Sequence, residues 1–522
     1  MARFELSDDT VVVVVGSGAG GGTVAHELCE RGINVVVLEA GARFDIDDFH
    51  HDELAAFQQL SWLDKRVATG DWAAARLAPH QPAWTVKAVG GSTVHWNGLS
   101  FRIQAHEFAA RTVYGDIDGA SLLDWPISLD DLAPHYARAE DKLGVTGTHG
   151  IARHPATNNY KVLYNGAKRV GYRHVTNDRL AINSAFRDGR APCVQLGFCN
   201  QGCKMAAKWS TLHSEIPKAE DTGRLDLRTQ CMALKVVHDR RGRVSGVLYA
   251  DRDGAHHLQK ARVVCIAGNA IETPRLLLNS ATPQFPDGLA NASGQVGRHY
   301  MRHVGALAFG VFDRPVNMHR GITTPGTVFD EQGHRPERGF AGGYLMEAAS
   351  LGLPTLAMMA DPAGWGRDYA GFLEQYDHLA GILLNGEDLP RADNRVSLHD
   401  GAVDQHGLPV PRVHVVEHAN DRAMRAHFHR QATAIFQAVG ARRVKAVQAV
   451  SAAHNMGTCR MSADPNDGVV NGWGQAHDIA NLFVSDGSQF TTATSENPTL
   501  TIVALAIRQA GHIADRMARG DL

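Results

Sequence analysis

The sequence lacks the features that define several large classes of protein. Its 522 residues include no run of about 18 apolar residues, so no membrane-spanning helix is expected. The net charge is −3, which gives no electrostatic footprint for nucleic acid. Residues 1–10 lack the basic and apolar regions of a secretory signal. No His-Glu-x-x-His or Gly-x-Ser-x-Gly motif is present, which disfavours zinc peptidases and serine hydrolases. These absences favour a cytoplasmic globular protein.

Cysteine is also scarce. The chain has seven cysteines, an odd number without an evenly repeated framework, which is typical of reduced thiols. Three of them, Cys193, Cys199 and Cys203, lie within 11 residues and are separated by glycines. Such a trio can converge on one soft metal centre. The alternatives are structural thiols, or one disulfide with a free thiol.

The first 41 residues carry the clearest motif. Five valines, 11–15, lead into the glycine turn 16–21; a helix-like segment and a second apolar run, 35–38, follow. The pattern predicts strand, turn, helix and strand, with Gly16 for the tight turn, Gly18 for close approach to a pyrophosphate and Gly21 for helix–strand packing. The free N–H groups of the helix suit phosphates, and Glu39 can accept hydrogen bonds from a ribose diol. We therefore predict a dinucleotide site.

Further motifs extend this pattern along the chain. They are GGSTVHWNG at 90–98, VVCIAGNAIETPRLL at 263–277, HNMGTCRM at 454–461, NLFVSDGS at 481–488 and NPTLT at 497–501. Together with the N-terminal unit they resemble the glucose–methanol–choline (GMC) oxidoreductases, from about residue 11 to residue 515 and in the family order. Within that family, segments 124–140, 207–212 and 394–409 look most like the flavoprotein subunits of gluconate 2-dehydrogenase and bacterial FAD glucose dehydrogenase.

The resemblance implies an α/β fold, α+β overall, with a Rossmann-like FAD-binding domain and an intergrown substrate domain on an antiparallel sheet. The FAD-binding domain would comprise 1–45, 85–115, 225–305 and 445–522, and the substrate domain 46–84, 116–224 and 306–444. The residues themselves predict strands at 306–312, 356–359 and 379–384, a helix at 420–439 and a surface loop at 313–338.

The resemblance also assigns roles to residues. His454 would be the base that takes the hydroxyl proton of an alcohol, and Asn497 would orient the substrate oxygen while hydride passes to flavin N5. The structural alternative is a core histidine and a helix N-cap asparagine. The residues expected at FAD are Gly16, Gly18, Gly21, Glu39, Gly90, Gly91, His95, Asn97, Asp486, Gly487 and Pro498. His95 either packs against the flavin or bonds it covalently, and packing is favoured. His303 is expected to be structural.

The cysteine trio has the x5 and x3 spacing of the three 3Fe–4S ligands in the glucose dehydrogenase that the chain resembles. In that glucose dehydrogenase a cysteine directly follows the first ligand, and the corresponding residue in this sequence is Val194. The resemblance thus implies FAD and a 3Fe–4S cluster, and as partners a small-molecule alcohol, a small subunit and a heme-containing electron acceptor. With such a partner, export to the periplasm is the alternative location.

Two catalytic interpretations and one non-catalytic interpretation remain open on the sequence. The first is FAD-dependent oxidation of a sugar, sugar acid, polyol or related alcohol, with electrons leaving through the cluster. The second is an oxidase of the same fold that reduces O₂, acting on a sugar ring hydroxyl or an aromatic alcohol. The third is a non-catalytic flavoprotein, which would need neither His454 nor Asn497.

Overall fold

The computed structural model describes residues 3–57, 68–71, 83–177, 179–361, 364–448, 450 and 453–522. Within these ranges the α-helices are α1 (Ala19–Glu30), α2 (Glu53–Phe57), α3 (Ala105–Phe108), α4 (Ala110–Tyr114), α5 (Leu129–Leu143), α6 (Asn158–Arg169), α7 (Glu215–Asp221), α8 (Asn269–Asn279), α9 (Leu353–Ala360), α10 (Gly366–Leu373), α11 (Ala419–Ala438) and α12 (Thr499–Ala518).

A five-stranded parallel sheet forms the nucleotide-binding half. Its order is β17 (Leu482–Val484), β9 (Val263–Ile266), β1 (Val12–Val15), β2 (Val35–Leu38) and β5 (Leu225–Arg228). β1 and β2 consist of valine and leucine and are fully buried, as expected for strands covered on both faces. The residue pairs Val12–Val35 and Val15–Leu38 set their register. Helices α1 and α12 pack together on one face.

A six-stranded antiparallel sheet forms the second half. Its order is β16 (Arg443–Val447), β10 (Val304–Val311), β13 (Leu379–Gly386), β12 (Tyr344–Ala348), β11 (Gly326–Val328) and β4 (Val175–Asn177). Helices α6 and α11 cover one face through an apolar cluster that includes Phe428, Ile435 and Phe436. The opposite face of this sheet borders the cavity described below.

Two three-stranded sheets complete the architecture. One joins β14 (Arg395–Val403), β15 (Pro409–Val415) and β3 (Ala68–Gly70), with β15 and β3 parallel. The other is the antiparallel meander β6 (Met232–His238), β7 (Val244–Ala250) and β8 (His256–Lys260). The predicted fold class, a Rossmann-like parallel sheet beside an antiparallel sheet, is confirmed.

Two local predictions are wrong. The segment 356–359 is part of helix α9, because Pro354 lies in the first helical turn and leucine, alanine and methionine favour a helix. The segment 313–338 is not simply a surface loop: it contains β11, and Thr323, Thr324 and Thr327 are buried. The predicted strands at 306–312 and 379–384 and the predicted helix at 420–439 are present within two residues at each end.

The domain boundaries stay a prediction. All five strands of the parallel sheet come from the segments predicted to bind FAD. Of the antiparallel sheet, β4, β11, β12 and β13 lie in the predicted substrate domain, and β10 and β16 each cross a predicted boundary. Parts of the predicted substrate domain, 58–67 and 72–82, lie outside the described residues. Within the described part of the chain, no helix has the length and hydropathy needed to cross a membrane.

Candidate active site

A cavity of about 380 Å³ runs from the carboxyl ends of the parallel strands to the face of the antiparallel sheet. Ligands of open α/β folds bind at these strand ends. The walls come from the turn after β1, the turn 90–97, the start of α8, the loop around residue 454, the start of α12, and strands β10, β12 and β13. The cavity therefore joins the two halves of the fold.

The glycine turn after β1 forms a cradle at one end of the cavity. Gly16 has φ +94°, and a Cβ atom there would lie 2.5 Å from the carbonyl oxygen of Ala267, so only glycine fits. A Cβ atom on Gly21 would lie 2.1 Å from the oxygen of Gly16, which confirms the close packing of helix and strand. Helix α1 begins after Gly18 without a side-chain cap or an acidic residue in its first turn. The backbone N–H groups of its first turn can therefore bind phosphate oxygens.

Glu39 follows β2 and also lines the cavity. Its Oε2 accepts hydrogen bonds from the backbone N and Oγ of Ser17, at 3.0 and 2.6 Å, and Oε1 accepts one from Gly41 N at 2.8 Å. Burial raises the pKa of this carboxyl group, whereas the bonds from Ser17 and Gly41 act in the opposite direction. Oε1 retains capacity to accept a further hydrogen bond, as a ribose diol would require.

Asp486 also borders the cavity, as its motif predicts. Both of its carboxylate oxygens are engaged: Oδ2 by Asn269 N and Thr273 Oγ1, and Oδ1 by the backbone N and Oγ of Ser488. The carboxylate thus ties the start of α8 to the turn 487–489. Gly487 and Pro498, which precedes α12, line the cavity beside it. These bonds hold together two backbone segments that border the cavity.

The turn 90–97 closes over the cradle. A Cβ atom on Gly91 would lie 3.0 Å from Cα of Gly18, so the two glycine turns are in contact. His95 Nδ1 donates to the carbonyl oxygen of Asn200 at 2.7 Å, since a carbonyl can only accept. Burial lowers the pKa of His95 to about 4, and its Nε2 is buried without a partner among the described residues. Asn97 Oδ1 accepts a hydrogen bond from Thr323 Oγ1 at 2.7 Å.

His454 lies on the cavity wall, half-buried and next to a second histidine. Its Nδ1 is 2.6 Å from Nδ1 of His303, and the two rings meet at 84° with centroids 4.7 Å apart. Burial and the neighbouring His303 hold the pKa of His454 well below its ordinary value. His454 is therefore neutral at neutral pH, the state that a general base requires.

Asn497 and Glu347 form a polar pair in the same cavity. The two side chains are hydrogen-bonded, yet Asn497 Oδ1 and Glu347 Oε1 have no partner among the described residues. Glu347 lies on β12 and is 1% exposed, and burial raises its pKa to about 8. A cavity lined by unpartnered buried polar atoms is a site built for a polar ligand.

The three clustered cysteines line a second, smaller cavity. None of the seven cysteines forms a disulfide, which removes the expected alternative of one disulfide and a free thiol. The backbone N of Gln195 donates to Cys193 Sγ at 3.3 Å, and Gly197 and Gly202 adopt positive φ angles that let the loop wrap. Among the described residues, only His26, Glu27 and Glu30 bring three potential ligand atoms within 4.8 Å of one another, so the three Sγ atoms do not all lie within that distance.

Hydrogen bonds connect the walls of the two cavities. Lys208 lines the smaller cavity and is buried, and its Nζ donates to the carbonyl oxygens of Val94, Trp96 and Cys199, at 3.1, 2.6 and 2.5 Å. The bond from His95 to Asn200 makes a second link between the turn 90–97 and the cysteine loop. The cysteine loop is thus hydrogen-bonded directly to the wall of the large cavity.

Sequence reasoning singled out His454 and Asn497, which border one cavity, but it missed two of their neighbours. Glu347 had one available signal, as the only charged residue in the buried strand YLMEA. His303, expected to be structural, contacts His454 across 151 positions of sequence, and no local pattern reveals that contact.

Comparison with known proteins identifies the family. Two family models described as GMC oxidoreductase match residues 5–305 and 390–506. The chain is 33% identical to the 2-methyl-1,2-propanediol dehydrogenase of Mycolicibacterium austroafricanum, over 98% of this chain and 96% of that protein. This protein belongs to the GMC oxidoreductase family, whose members bind FAD, and it is an oxidoreductase of the kind that acts on CH–OH groups.

The other relatives include oxidases and dehydrogenases. Paromamine 6'-oxidase of Streptomyces fradiae is 31% identical over 97% of this chain and 92% of that protein. The fructose dehydrogenase large subunit of Gluconobacter japonicus is 27% identical over both full lengths, and the gluconate 2-dehydrogenase flavoprotein of Pantoea cypripedii is 23% identical over 97% and 93%. The fold is also that of pyridoxine 4-oxidase, with a TM-score of 0.65, 17% identity and coverage of 97% and 99%.

Proposed function

We propose that this protein oxidises an alcohol group of a polyhydroxylated small molecule to a carbonyl, with bound FAD as the immediate electron acceptor. The observation that carries the proposal is the position of His454, Asn497 and Glu347 in one cavity that continues into the glycine cradle after β1. The cradle fits a dinucleotide, because the start of α1 is uncapped and unpartnered polar atoms border the cavity.

The cofactor and the residues of the cavity have separate roles in the proposed reaction. FAD, when bound, supplies the acceptor for the hydride that leaves the alcohol carbon. His454 takes the hydroxyl proton, so that loss of one proton and one hydride converts the CH–OH group to C=O. Asn497 holds the substrate oxygen by hydrogen bonding. The residues that hold the cofactor are Gly16, Gly18, Gly21, Glu39, Gly90, Gly91, His95, Asn97, Asp486, Gly487 and Pro498.

The cavity chemistry supports a substrate with several hydroxyl groups. Glu347 Oε1 and Thr324 Oγ1 are buried, border the cavity and lack partners among the described residues. Each can bind a hydroxyl group other than the one that reacts. A sugar, sugar acid or polyol can therefore form hydrogen bonds with more of these buried atoms than a simple alcohol can. Relatives named for 2-methyl-1,2-propanediol, paromamine and fructose are consistent with this class.

We further propose that electrons leave through a 3Fe–4S cluster held by Cys193, Cys199 and Cys203. Their side chains share one cavity, and their thiols are not paired in disulfides. The links through Lys208 and through His95 to Asn200 support a short path from the flavin site to this loop.

The proposed route ends at an external carrier, a heme-containing protein, with a small subunit as a further partner. The relative named as a large subunit supports an assembly of this kind. The compartment, cytoplasmic or periplasmic, follows from where that carrier is found. The second candidate function is an oxidase that passes the electrons to O₂, and the similarity to paromamine 6'-oxidase favours it.

The test starts with FAD-reconstituted protein under anaerobic conditions. A panel of sugars, sugar acids, polyols and aromatic alcohols is added, and loss of absorbance near ~450 nm reports cofactor reduction. We expect at least one polyol or sugar to bleach the flavin. If no alcohol in any class does so, the proposed function is wrong.

Iron and sulfide analysis with low-temperature EPR then separates the two candidates. We expect about three iron atoms per chain and an EPR signal of the oxidised cluster. Cys199→Ser should abolish transfer to an artificial one-electron acceptor while leaving bleaching by the alcohol intact. Cys29→Ser is the matched control, because Cys29 is a free, buried cysteine in α1 and is not one of the proposed ligands. Absence of iron together with fast turnover on O₂ would establish the oxidase instead.

A further inference from the structure

We propose that His303 is a positioning residue that fixes the tautomer of His454, so that the unprotonated nitrogen of His454 is Nε2. This inference rests on the proposed function, in which His454 is the base. Sequence reasoning assigned His303 to structure alone, but the partners of its two ring nitrogens give it a further role.

The neutral ring of His303 carries its proton on Nε2. Its Nε2 lies 3.1 Å from the carbonyl oxygen of Ala493 and 2.9 Å from that of Thr494. A carbonyl oxygen has no proton to give, so Nε2 must carry the hydrogen in both contacts. Burial lowers the pKa of His303 to about 4, so the ring is neutral and has only this one proton. Nδ1 of His303 is then a hydrogen-bond acceptor.

The protonation of His303 determines which nitrogen of His454 carries a proton. The two Nδ1 atoms are 2.6 Å apart, and one of them must donate. Since Nδ1 of His303 is unprotonated, Nδ1 of His454 carries the hydrogen. His454 is neutral as well, so its Nε2 retains a lone pair. The backbone carbonyls at 493–494 thereby determine which nitrogen of His454 can accept a proton.

The surroundings of His303 keep this arrangement in place. His303 is 8% exposed and directly precedes β10; the segment 493–494, the loop of His454 and strand β13 pack around it. Asn385 on β13 hydrogen-bonds the ring as a third neighbour. Among the described residues, no charged side chain contributes to the shift of its pKa. A neutral histidine backed by two carbonyls takes the place that a carboxylate has in a catalytic triad.

The proton balance is simple. The substrate hydroxyl gives its proton to Nε2 of His454, which becomes a cation with hydrogens on both nitrogens. No proton moves to His303; its Nδ1 accepts a stronger hydrogen bond from the cation. His303 therefore stabilises the charged product state of the proton transfer, which is where a positioning residue contributes to rate.

The test compares two substitutions of similar size. His303→Leu removes the acceptor, whereas His303→Asn can place its Oδ1 near the position of Nδ1 and accept from His454. We expect His303→Leu to slow anaerobic flavin reduction by about 10²-fold with KM changed by less than about threefold, because the loss is in the transition state. His303→Asn should recover most of that rate. A substrate analogue whose hydroxyl is made more acidic by fluorine should show a smaller defect in His303→Leu.

A second readout needs neither substrate nor turnover. In ¹⁵N-histidine-labelled holoenzyme, the resonances that disappear in His454→Gln identify His454, and their shifts report which nitrogen is protonated. We expect protonated Nδ1 and unprotonated Nε2 in the native protein, and a mixture of tautomers in His303→Leu. FAD content and thermal unfolding are measured for every variant.

Three results would overturn the inference. They are an unprotonated Nδ1 on native His454, wild-type reduction rates in His303→Leu, and equal defects in the Leu and Asn variants. The last would assign His303 to packing alone. These results are distinct from failure of the proposed function, because in that case the native protein would show no flavin reduction with any alcohol while the tautomer of His454 could still be read.

Discussion

The buried carboxyl group of Glu347 destabilises the folded protein at neutral pH. Burial raises its pKa from 4.5 to about 8. Below pH 4.5 the carboxyl group is protonated in both the folded and the unfolded chain. As the pH rises from there to about 8, the unfolded chain loses the proton and the folded protein keeps it, so Glu347 progressively destabilises the fold. At pH 7 this destabilisation is about 3 kcal/mol, using ~1.36 kcal/mol for each pKa unit.

The substitution Glu347→Gln removes the titration and keeps the size and the contact with Asn497. We expect the free energy of unfolding at pH 7 to rise by about 3 kcal/mol, which for a chain of 522 residues is about 3 °C in Tm. At pH 5 the gain should fall below about 1 kcal/mol. The assay is calorimetric unfolding at both pH values, with Glu337→Gln as the control, because Glu337 is exposed and should change stability by less than about 0.5 kcal/mol.

The same substitution has a consequence for activity. A glutamic acid that stays protonated at pH 7 can donate a hydrogen bond to the substrate, and glutamine imitates that neutral acid. We expect Glu347→Gln to reduce the flavin within about threefold of the native rate at pH 7, whereas Glu347→Ala should lose tenfold or more. An equal gain in Tm at pH 5 and pH 7, or no gain at all, would refute the reasoning that burial keeps this group neutral.

Four further predictions concern the rest of the cavity. His454→Gln should slow anaerobic flavin reduction by about 10²–10⁴-fold with unchanged FAD content, measured by stopped flow; an unchanged rate would make His454 structural. Asn497→Ala should slow reduction less, because it orients the substrate oxygen. Since the pKa of His454 is held well below 6.5, the native rate should stay constant through neutral pH and fall only at acidic pH; a fall that begins near pH 7 would contradict this. Gly18→Val should weaken FAD binding by about tenfold or more, measured by fluorescence titration, because the side chain would fill the phosphate position.

The nucleotide-binding half could be predicted because its signals are local. The strand, turn and helix around Gly16 and Gly21 follow one another in the sequence, and the valine run can only be a buried strand beside them. The resemblance to a family extended this to His454 and Asn497, which lie at opposite ends of a segment of 44 residues yet border one cavity.

The remaining features depend on contacts between distant segments. Segment 356–359 was predicted as a strand because its apolar run is too short to show a period, and Pro354 was the overlooked signal. The engagement of Asp486 by Thr273 and Ser488 joins two halves of the chain, and so does the contact of His303 with His454. A sequence shows that such residues are polar; only the fold shows which partners they have.

The most direct test of the central claim is a single turnover under anaerobic conditions with the best alcohol from the panel, carrying deuterium at the reacting carbon. The account predicts one carbonyl product formed for each FAD reduced, with a primary isotope effect on loss of absorbance near ~450 nm that persists, on a slower rate, in His454→Gln. Carbonyl formation without loss of flavin absorbance, or no reaction with any alcohol in the panel, would contradict it.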